Sequence, residues 1–475
     1  MTTTSYDTVA YPTALFPQTH PDRLALIARL HGLAAPAVER ARVLEIGGGD
    51  GFNLIALGAA FPDARLVSFD LSAAATARGQ TLVSAAGIGN VRIEQADILD
   101  YVAAVEPGSF DYVIAHGVYA WVPGVVQRAV MELAGKALAP DGVFFVSYNA
   151  LPGGHIRQVM REMLLAALAD VHGIDARIAA ARAFLEDHAR PREGDDSVVT
   201  AMRAQSVAML TRPDAVLFHD ELGEVFSPHS LSDTVAAAAA QGLEFLNDSG
   251  RGRLGDGFLA DDAAPDGDCA TAAIVRAAQA DDYAAMRFFR QSLFVRAGRA
   301  PARQPVLDVL AECQAAGQFQ PAEDGAVQCG ETTFALRDGE LQDWLLALGS
   351  GWPAHRAASE IATTPDRQEA LFHLFKLGLL HLSTAPVPFT LAVSACPLAS
   401  PLVRAQIALG HPGITTLHFE QMQLADPAAR GLLARLDGQT DHAALAQVWA
   451  GLPHDPALTL DDALTMIAAQ RLLRA

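Results

Sequence analysis

The chain has 475 residues, 51% of them hydrophobic, and a formal charge of −20. That length holds two or three domains, and no run of about 18 uninterrupted apolar residues marks a membrane span. The charge argues against the basic footprint of a DNA- or RNA-binding protein and favours a basic protein segment or a small cation as partner. The four cysteines (Cys269, Cys313, Cys329, Cys396) are scattered with no CxxC pair, which suits reduced thiols better than a disulfide frame or a zinc site. The opening MTTTSYDTVAYPT lacks the basic flank and apolar block of a signal peptide. A cytoplasmic protein is the expectation.

In chain order, Pro12 and Pro17 break any helix and predict an extended lid over residues 1–40. Its Tyr6, Tyr11 and Phe16 would either close over a ligand or staple the lid to the sheet. Within THPDRLALIARLHG (19–32), Thr19 is placed to cap a helix with Pro21 in its first turn and Gly32 at its end. From 42 on, RVLEI (42–46), RLVSFD (65–70), VRIEQ (91–95), FDYVIAH (110–116) and GVFFVSY (142–148) read as strands. Helical patterns at 51–60, 73–86, 98–104 and 124–138 separate them. Such alternation predicts an α/β fold with a parallel, doubly wound sheet, which binds ligands at the carboxyl ends of its strands.

The first of those ends carries four glycines in the five positions 47–51, inside VLEIGGGDGFNLIA. The dinucleotide pattern G-x-G-x-x-G fails, because Phe52 stands where its third glycine belongs, and no G-K-[ST] follows to make a P-loop. Asp70 ends the second strand, 19 residues beyond Gly51, and Asp97 follows the third in QADIL. Either acid alone reads as a helix cap; both together, at successive strand ends after a glycine turn, read as a ligand site.

The pattern Glu45-x-Gly47-x-Gly49-x-Gly51 resembles the first motif of the class I S-adenosylmethionine (SAM) methyltransferases. The resemblance implies SAM as cofactor, with the loop under its methionine and ribose, Asp70 on the ribose hydroxyls and Asp97 on the adenine amino group. The neighbouring Leu71 and Ile98, and His116 at the fourth strand's end, complete the implied cofactor set. Segments 5–33, 115–123 (AHGVYAWVP), 146–164, 218–249, 281–296 and 402–441 narrow the likeness. They resemble bacterial methyltransferases that carry a methyltransferase regulatory domain, a group that includes rickettsial outer-membrane-protein lysine methyltransferases. A protein substrate with accessible lysines is thereby implied, with neither nucleic acid nor membrane as partner. Two positions depart from the group's pattern: Gly48 stands for a cysteine in the loop, expected to be harmless, and Gly154 for a tryptophan after Pro-Gly, expected to alter the substrate mouth.

The expected organisation is a lid (1–40), a SAM-binding core (41–154), a helical insertion over the sheet's carboxyl edge (155–215) and a regulatory segment (216–298). The last of these contributes strands that complete the Rossmann-like sheet, and a separate, mainly α, winged-helix-like docking domain follows (305–475). NDSGRGRLGDG and DDAAPDGD, within 247–268, read as surface loops. Methyl transfer is an in-line displacement that needs alignment above all, so no triad or metal is expected. The base-methylating signatures, an NPPY-type motif or a Pro-Cys nucleophile, are absent after the fourth strand. Strand-end groups remain as candidates for substrate contact: Tyr119, Tyr148 and Asn149 as catalytic residues, with Trp121 nearby, although Trp121 and Tyr148 also suit a core. A lysine methyltransferase, a small-molecule methyltransferase and a non-catalytic SAM-binding scaffold all stay open.

Overall fold

Five strands lie parallel, the inner ones apolar on both faces because helices cover each side, the edge strand alternating buried and exposed residues. They are β1 (Arg42–Ile46), β2 (Arg65–Asp70), β3 (Val91–Gln95), β4 (Phe110–Ala115) and β5 (Leu138–Asn149). The computed structural model, which describes residues 5–250, 252–259 and 268–475, adds β6 (Leu243–Asp248) and β7 (Phe289–Arg296) to the same sheet, in the order β3-β2-β1-β4-β5-β7-β6. β7 runs antiparallel to both of its neighbours. The switch point lies between β1 and β4, so a crevice opens at their carboxyl ends.

The helices follow from their caps. Ser72 Oγ accepts from Ala75 N to start Ala73–Ala86, and Asp97 accepts from Leu99 N to start Ile98–Ala104. The first long helix, Pro21–Leu30, differs from expectation: His20 Nδ1, not Thr19, accepts from Asp22 N, at 3.2 Å. Thr19 belongs to the preceding turn, where its hydroxyl donates to Phe16 O at 2.8 Å.

The insertion consists of helices Gly153–Ala167, Ile174–His188 and Ser197–Leu210, with a small core of Met160, Leu164, Leu185 and Met209. Asn247, Asp248 and Ser249 are not in a surface loop but buried. Asn247 Nδ2 meets His31 Nε2 at 2.9 Å, and the Ser249 carbonyl accepts from Arg23 Nη2 at 2.8 Å. Saturated partners are what allow polar residues inside. Residues 251 and 260–267 of the expected loops lie outside the described residues.

Beyond residue 305 come β8 (Gln314–Ala316), β9 (Phe319–Pro321), β10 (Val327–Cys329), β11 (Thr332–Phe334), β12 (Arg356–Ala357) and β13 (His381–Ser383). β12-β8-β13 form one small sheet and β11-β10-β9 another. Helices Gly339–Ser350 and Pro365–Lys376 accompany them. Leu310, Phe319, Trp344, Leu345, Leu371 and Phe375 belong to one continuous core with Leu24, Leu26, Val43 and Leu54, so packing does not break near residue 305. A separate core of Val403, Ile414, Leu432, Leu445 and Leu464 belongs to the last unit. It holds the hairpin β14 (Gly413–Thr415) and β15 (Gln421–Gln423) and four helices, the first of which, Pro401–Ala408, packs on Ala73–Ala86 and Phe52–Ala60. Among the described residues no helix is long and apolar enough to cross a membrane.

Candidate functional site

The glycine loop turns at left-handed angles: φ is +65° at Gly47, +61° at Gly49 and +68° at Gly51, a region in which side chains are strained. Its direction is fixed by backbone bonds. Gly47 N and Gly48 N donate to Phe69 O at 2.9 and 3.2 Å, and Gly49 N donates to Asp70 Oδ2 at 2.9 Å. A Cβ on Gly49 would meet nothing within 4 Å, so the backbone there is bare to an incoming ligand. Gly51 starts helix Phe52–Ala60, whose free N–H groups and dipole favour negative charge.

Glu45 lies beneath this loop, 3% exposed. Oε1 accepts from Asn53 Nδ2 at 2.9 Å and Oε2 from Ser68 Oγ at 3.0 Å, so Glu45 supports the loop from below. Burial pushes its carboxyl up to about 7. A Cβ on Gly48 would overlap both Ser68 Oγ and Glu45 Oε2, so a cysteine there is not harmless in this packing. Glycine is what lets the Glu45–Ser68 pair close under the turn.

Asp70 bridges two backbone groups, Gly49 N and Ser72 N, the latter at 2.8 Å. Burial raises its pKa, the two N–H bonds lower it, and the like charges of Asp7 and Asp50 raise it further. Asp97 is exposed and caps its helix through Leu99 N at 2.8 Å; each carboxylate retains acceptor capacity. Ile98 is buried beside it, and Leu71 is 48% exposed. His116 Nδ1 lies 2.9 Å from Ser147 Oγ, which also accepts from Gly117 N at 2.9 Å. Burial pushes this imidazole down to about 4.

The lid closes on these groups. Asp7 Oδ1 accepts from Ser72 Oγ at 2.7 Å and from Ala74 N at 3.1 Å. Thr13 Oγ1 donates to Asp50 Oδ2 at 2.6 Å, and Phe16 N donates to Asn53 Oδ1 at 3.1 Å. Its three aromatics divide their work. Phe16 faces His116, ring centroids 4.1 Å apart. Tyr6 stacks on His219 at 4.1 Å and Tyr11 Oη donates to Asp220 Oδ1 at 3.3 Å, which staples the lid to the turn that follows the insertion.

At the end of β5 the candidates separate. Tyr148 is a core residue, 1% exposed, with its hydroxyl 3.1 Å from Ser292 Oγ; strand alternation turns it away from the face of Ser147 and Asn149. Tyr119 is buried as well, its ring 4.8 Å from that of His229. Neither stands at the mouth as expected from the sequence. Trp121 packs 5.1 Å from Phe226 and under the Arg157 guanidinium. Asn149 does line a cavity of about 230 Å³ with Arg157, Met209, Arg212, Phe288 and Phe289, and its Oδ1 is buried without a hydrogen-bond partner. A Cβ on Gly154 would overlap Pro228, so a tryptophan could not occupy this position without displacing residues 227–229.

The carboxyl ends of β1 to β5 thus bring together the loop, Asp70, Asp97, His116 and Asn149, and leave Tyr119 and Tyr148 in the core. Sequence reasoning missed Asn53, Ser68 and Ser147, each a lone polar residue within an apolar run. That pattern is the signal that would have found them.

Three family models match the chain. Residues 43–142 match "Methyltransferase domain", 213–296 match "Predicted methyltransferase regulatory domain", and 396–474 match "PKMT, C-terminal winged helix domain". Uncharacterized protein RP028 of Rickettsia prowazekii is 33% identical over 222 residues, 46% of this chain and 88% of that protein. Uncharacterized protein RP789 of the same organism is 30% identical over 249 residues, 51% of this chain and 44% of that protein. Among solved structures, PKMT2 from Rickettsia typhi superposes with a TM-score of 0.78 at 21% identity, over 98% of this chain and 100% of that one. Its complex with AdoHcy gives 0.76 at 20% identity, over 98% and 99%. The bare backbone at Gly49 and the acids Asp50 and Asp70 fit a cofactor that carries a sulfonium and an ammonium. The chain therefore belongs to the S-adenosylmethionine-dependent methyltransferases that carry a methyltransferase regulatory domain.

Proposed function

We propose that this methyltransferase acts in the cytoplasm on the side-chain amine of lysine in a protein substrate. The observation that carries the reading is Asn149, whose buried Oδ1 has no donor in a cavity flanked by Phe288 and Phe289. A buried acceptor without a donor is costly, and an amine N–H supplies that donor while aromatic edges and faces enclose the alkyl chain. The likeness to the R. typhi structure titled PKMT2 and the match of residues 396–474 to a PKMT winged-helix domain support a protein acceptor. So does the charge of −20, which draws basic segments in.

SAM supplies a methyl group already activated on a sulfonium. What remains for the chain is alignment. The loop and Asp70 fix the cofactor's position, Phe16 and His116 exclude water at the strand ends, and Asn149 holds the acceptor nitrogen by one N–H. The acceptor nitrogen held at Asn149 would take the methyl as its bond to the cofactor sulfur breaks, and would give up a proton to solvent. With an ordinary pKa near 10.4 only about one lysine in 2,500 is neutral at pH 7. Turnover limited by chemistry should then climb with pH toward about 9.

Transfer of labelled methyl from SAM into a bacterial lysate tests the reading. Label should enter protein and should vanish when the lysines are blocked by acetylation beforehand. Label confined to small molecules favours the small-molecule methyltransferase, and no transfer at all, with SAM still bound, favours the scaffold.

A further inference from the structure

Three histidines from distant parts of the sequence meet where the winged-helix unit touches the small β12-β8-β13 sheet. His355 precedes β12, His381 opens β13, and His418 sits in the turn between β14 and β15. One nitrogen of each lies within 4.8 Å of the other two. The rings are steeply inclined, by 84° between His355 and His381, 64° between His355 and His418, and 69° between His381 and His418. They converge by their edges and do not stack.

Several features separate this cluster from ordinary packing. His355 Nδ1 is buried with no hydrogen-bond partner, and among the described residues no side-chain hydrogen bond fixes the ring of His381 or His418. His381 keeps an open edge to solvent, whereas His355 and His418 are half-buried, which gives an ion a way in and room for water as a further ligand. His418 is held in its turn by Phe419, a non-glycine residue at φ +59°, and strain of this kind gathers at functional sites.

The charges around the cluster are mixed. Arg471, Arg23 and His20 oppose a cation, while the charge of Asp22 favours one at His355 and His381. Arg471 is itself paired with Glu420 at 2.9 Å. A four-coordinate ion with metal–nitrogen bonds of about 2.0–2.1 Å needs donors about 3.4 Å apart, and the three nitrogens here lie within 4.8 Å of one another.

We propose that His355, His381 and His418 form a three-imidazole site for a divalent transition-metal ion, zinc in the first instance, which fastens the winged-helix unit to the small sheet. Three nitrogens and no carboxylate suit zinc, copper or nickel and not magnesium or calcium. The ion would bridge a unit with its own core to one that shares the core of the catalytic sheet.

The test uses the full-length protein stripped with a chelator and titrated with Zn²⁺ by calorimetry, with Co²⁺ absorption as a second probe. One equivalent should bind the wild type, with the intense visible bands of tetrahedral cobalt. His418→Ala and His355→Ala should each weaken Zn²⁺ at least about tenfold, and His373→Ala, at an exposed histidine, should change nothing. Retained SAM binding shows that each variant is folded. Equal Zn²⁺ binding by the wild type and a His355→Ala, His381→Ala, His418→Ala triple variant would overturn the site and leave only adventitious surface histidines. No binding by any folded protein would do the same. In limited proteolysis Zn²⁺ should protect the 384–398 connection several-fold in the wild type; binding without that protection would overturn the fastening role.

Discussion

Two groups of acids stand at different places on the sheet, one at its β7–β6 edge and one beside the inner strands β1 and β2, and they are treated differently. Beside β6 and β7, Arg290 is 1% exposed and sits among Asp282 at 2.7 Å, Asp248 at 3.3 Å and Asp256 at 3.2 Å. Beside β1 and β2, burial and then the charges of Asp50 and Asp70 raise the pKa of Glu45, burial and then the charges of Asp7 and Asp50 raise that of Asp70, and the partners that hold Glu45 and Asp70 are amide, hydroxyl and N–H groups. The first cluster carries its own cations, Arg290 and Arg287. The second awaits positive charge, which the sulfonium and ammonium of SAM supply. Burial of a charge is costly without compensation, so the source of the compensation separates a structural cluster from a binding one.

The comparison can be broken most forcefully at Arg290. Arg290→Met leaves Asp248 without its cation and leaves Asp282 and Asp256 only Arg287 and the more distant Arg253, and should cost about 3–5 kcal/mol in chemical denaturation. A loss within about 0.5 kcal/mol would mean that the first cluster is no more self-contained than the second.

Next in size is the pH dependence at Glu45. Its folded-state pKa, up at about 7 from 4.5, means that the folded protein holds this proton more tightly than the unfolded chain. The neutral form is therefore the stable one. Stability should fall as pH rises from about 4.5 through 7, by up to about 3 kcal/mol from this group. Glu45→Gln should flatten that fall, which parallel urea titrations at pH 5 and 8 will read. Saturating SAM should offset the fall more than AdoHcy, which lacks the sulfonium charge.

Asp70→Ala removes charge-assisted bonds of about 1.5–3 kcal/mol and should weaken SAM roughly 10–100-fold in calorimetry. Unchanged affinity would take Asp70 out of the site. The smallest effect belongs to the lid. Asp7→Ala loses its bonds to Ser72 and Ala74, worth about 1 kcal/mol by analogy with a helix cap, and should weaken SAM roughly fivefold, mainly through faster release.

The cofactor half of the fold was legible because its signals are local. Each strand of 42–149 is a short apolar run, each helix has a cap or a glycine beside it, and the acids sit at strand ends. The Arg290 cluster was not legible. Its arginine hides in FRQSLFVR and its acids in NDSGRGRLGDG and AQADDY, polar stretches that composition assigns to the surface; only the pairing of β6 with β7 turns them inward. The same holds for the substrate side, where Asn149 and Tyr148 are adjacent and strand alternation alone decides which meets the cavity. The histidine cluster escaped because its members stand 26 and 37 residues apart, with none of the short spacings that mark a metal motif. The core shared across residue 305 was not legible for a physical reason too: a change of helical pattern says nothing about whether two segments pack together.

The position of β7 bears on how the chain is made. It lies between β5 and β6 and pairs with β5 from Phe144 to Asn149, so the open side of β5 stays uncovered until residues 289–296 have left the ribosome. At about 5–20 residues per second, roughly 7–30 s separate the emergence of Asn149 from that of Arg296. During that interval the nascent chain presents an apolar strand edge that can pair with other chains, and chaperones have their longest opportunity to hold it.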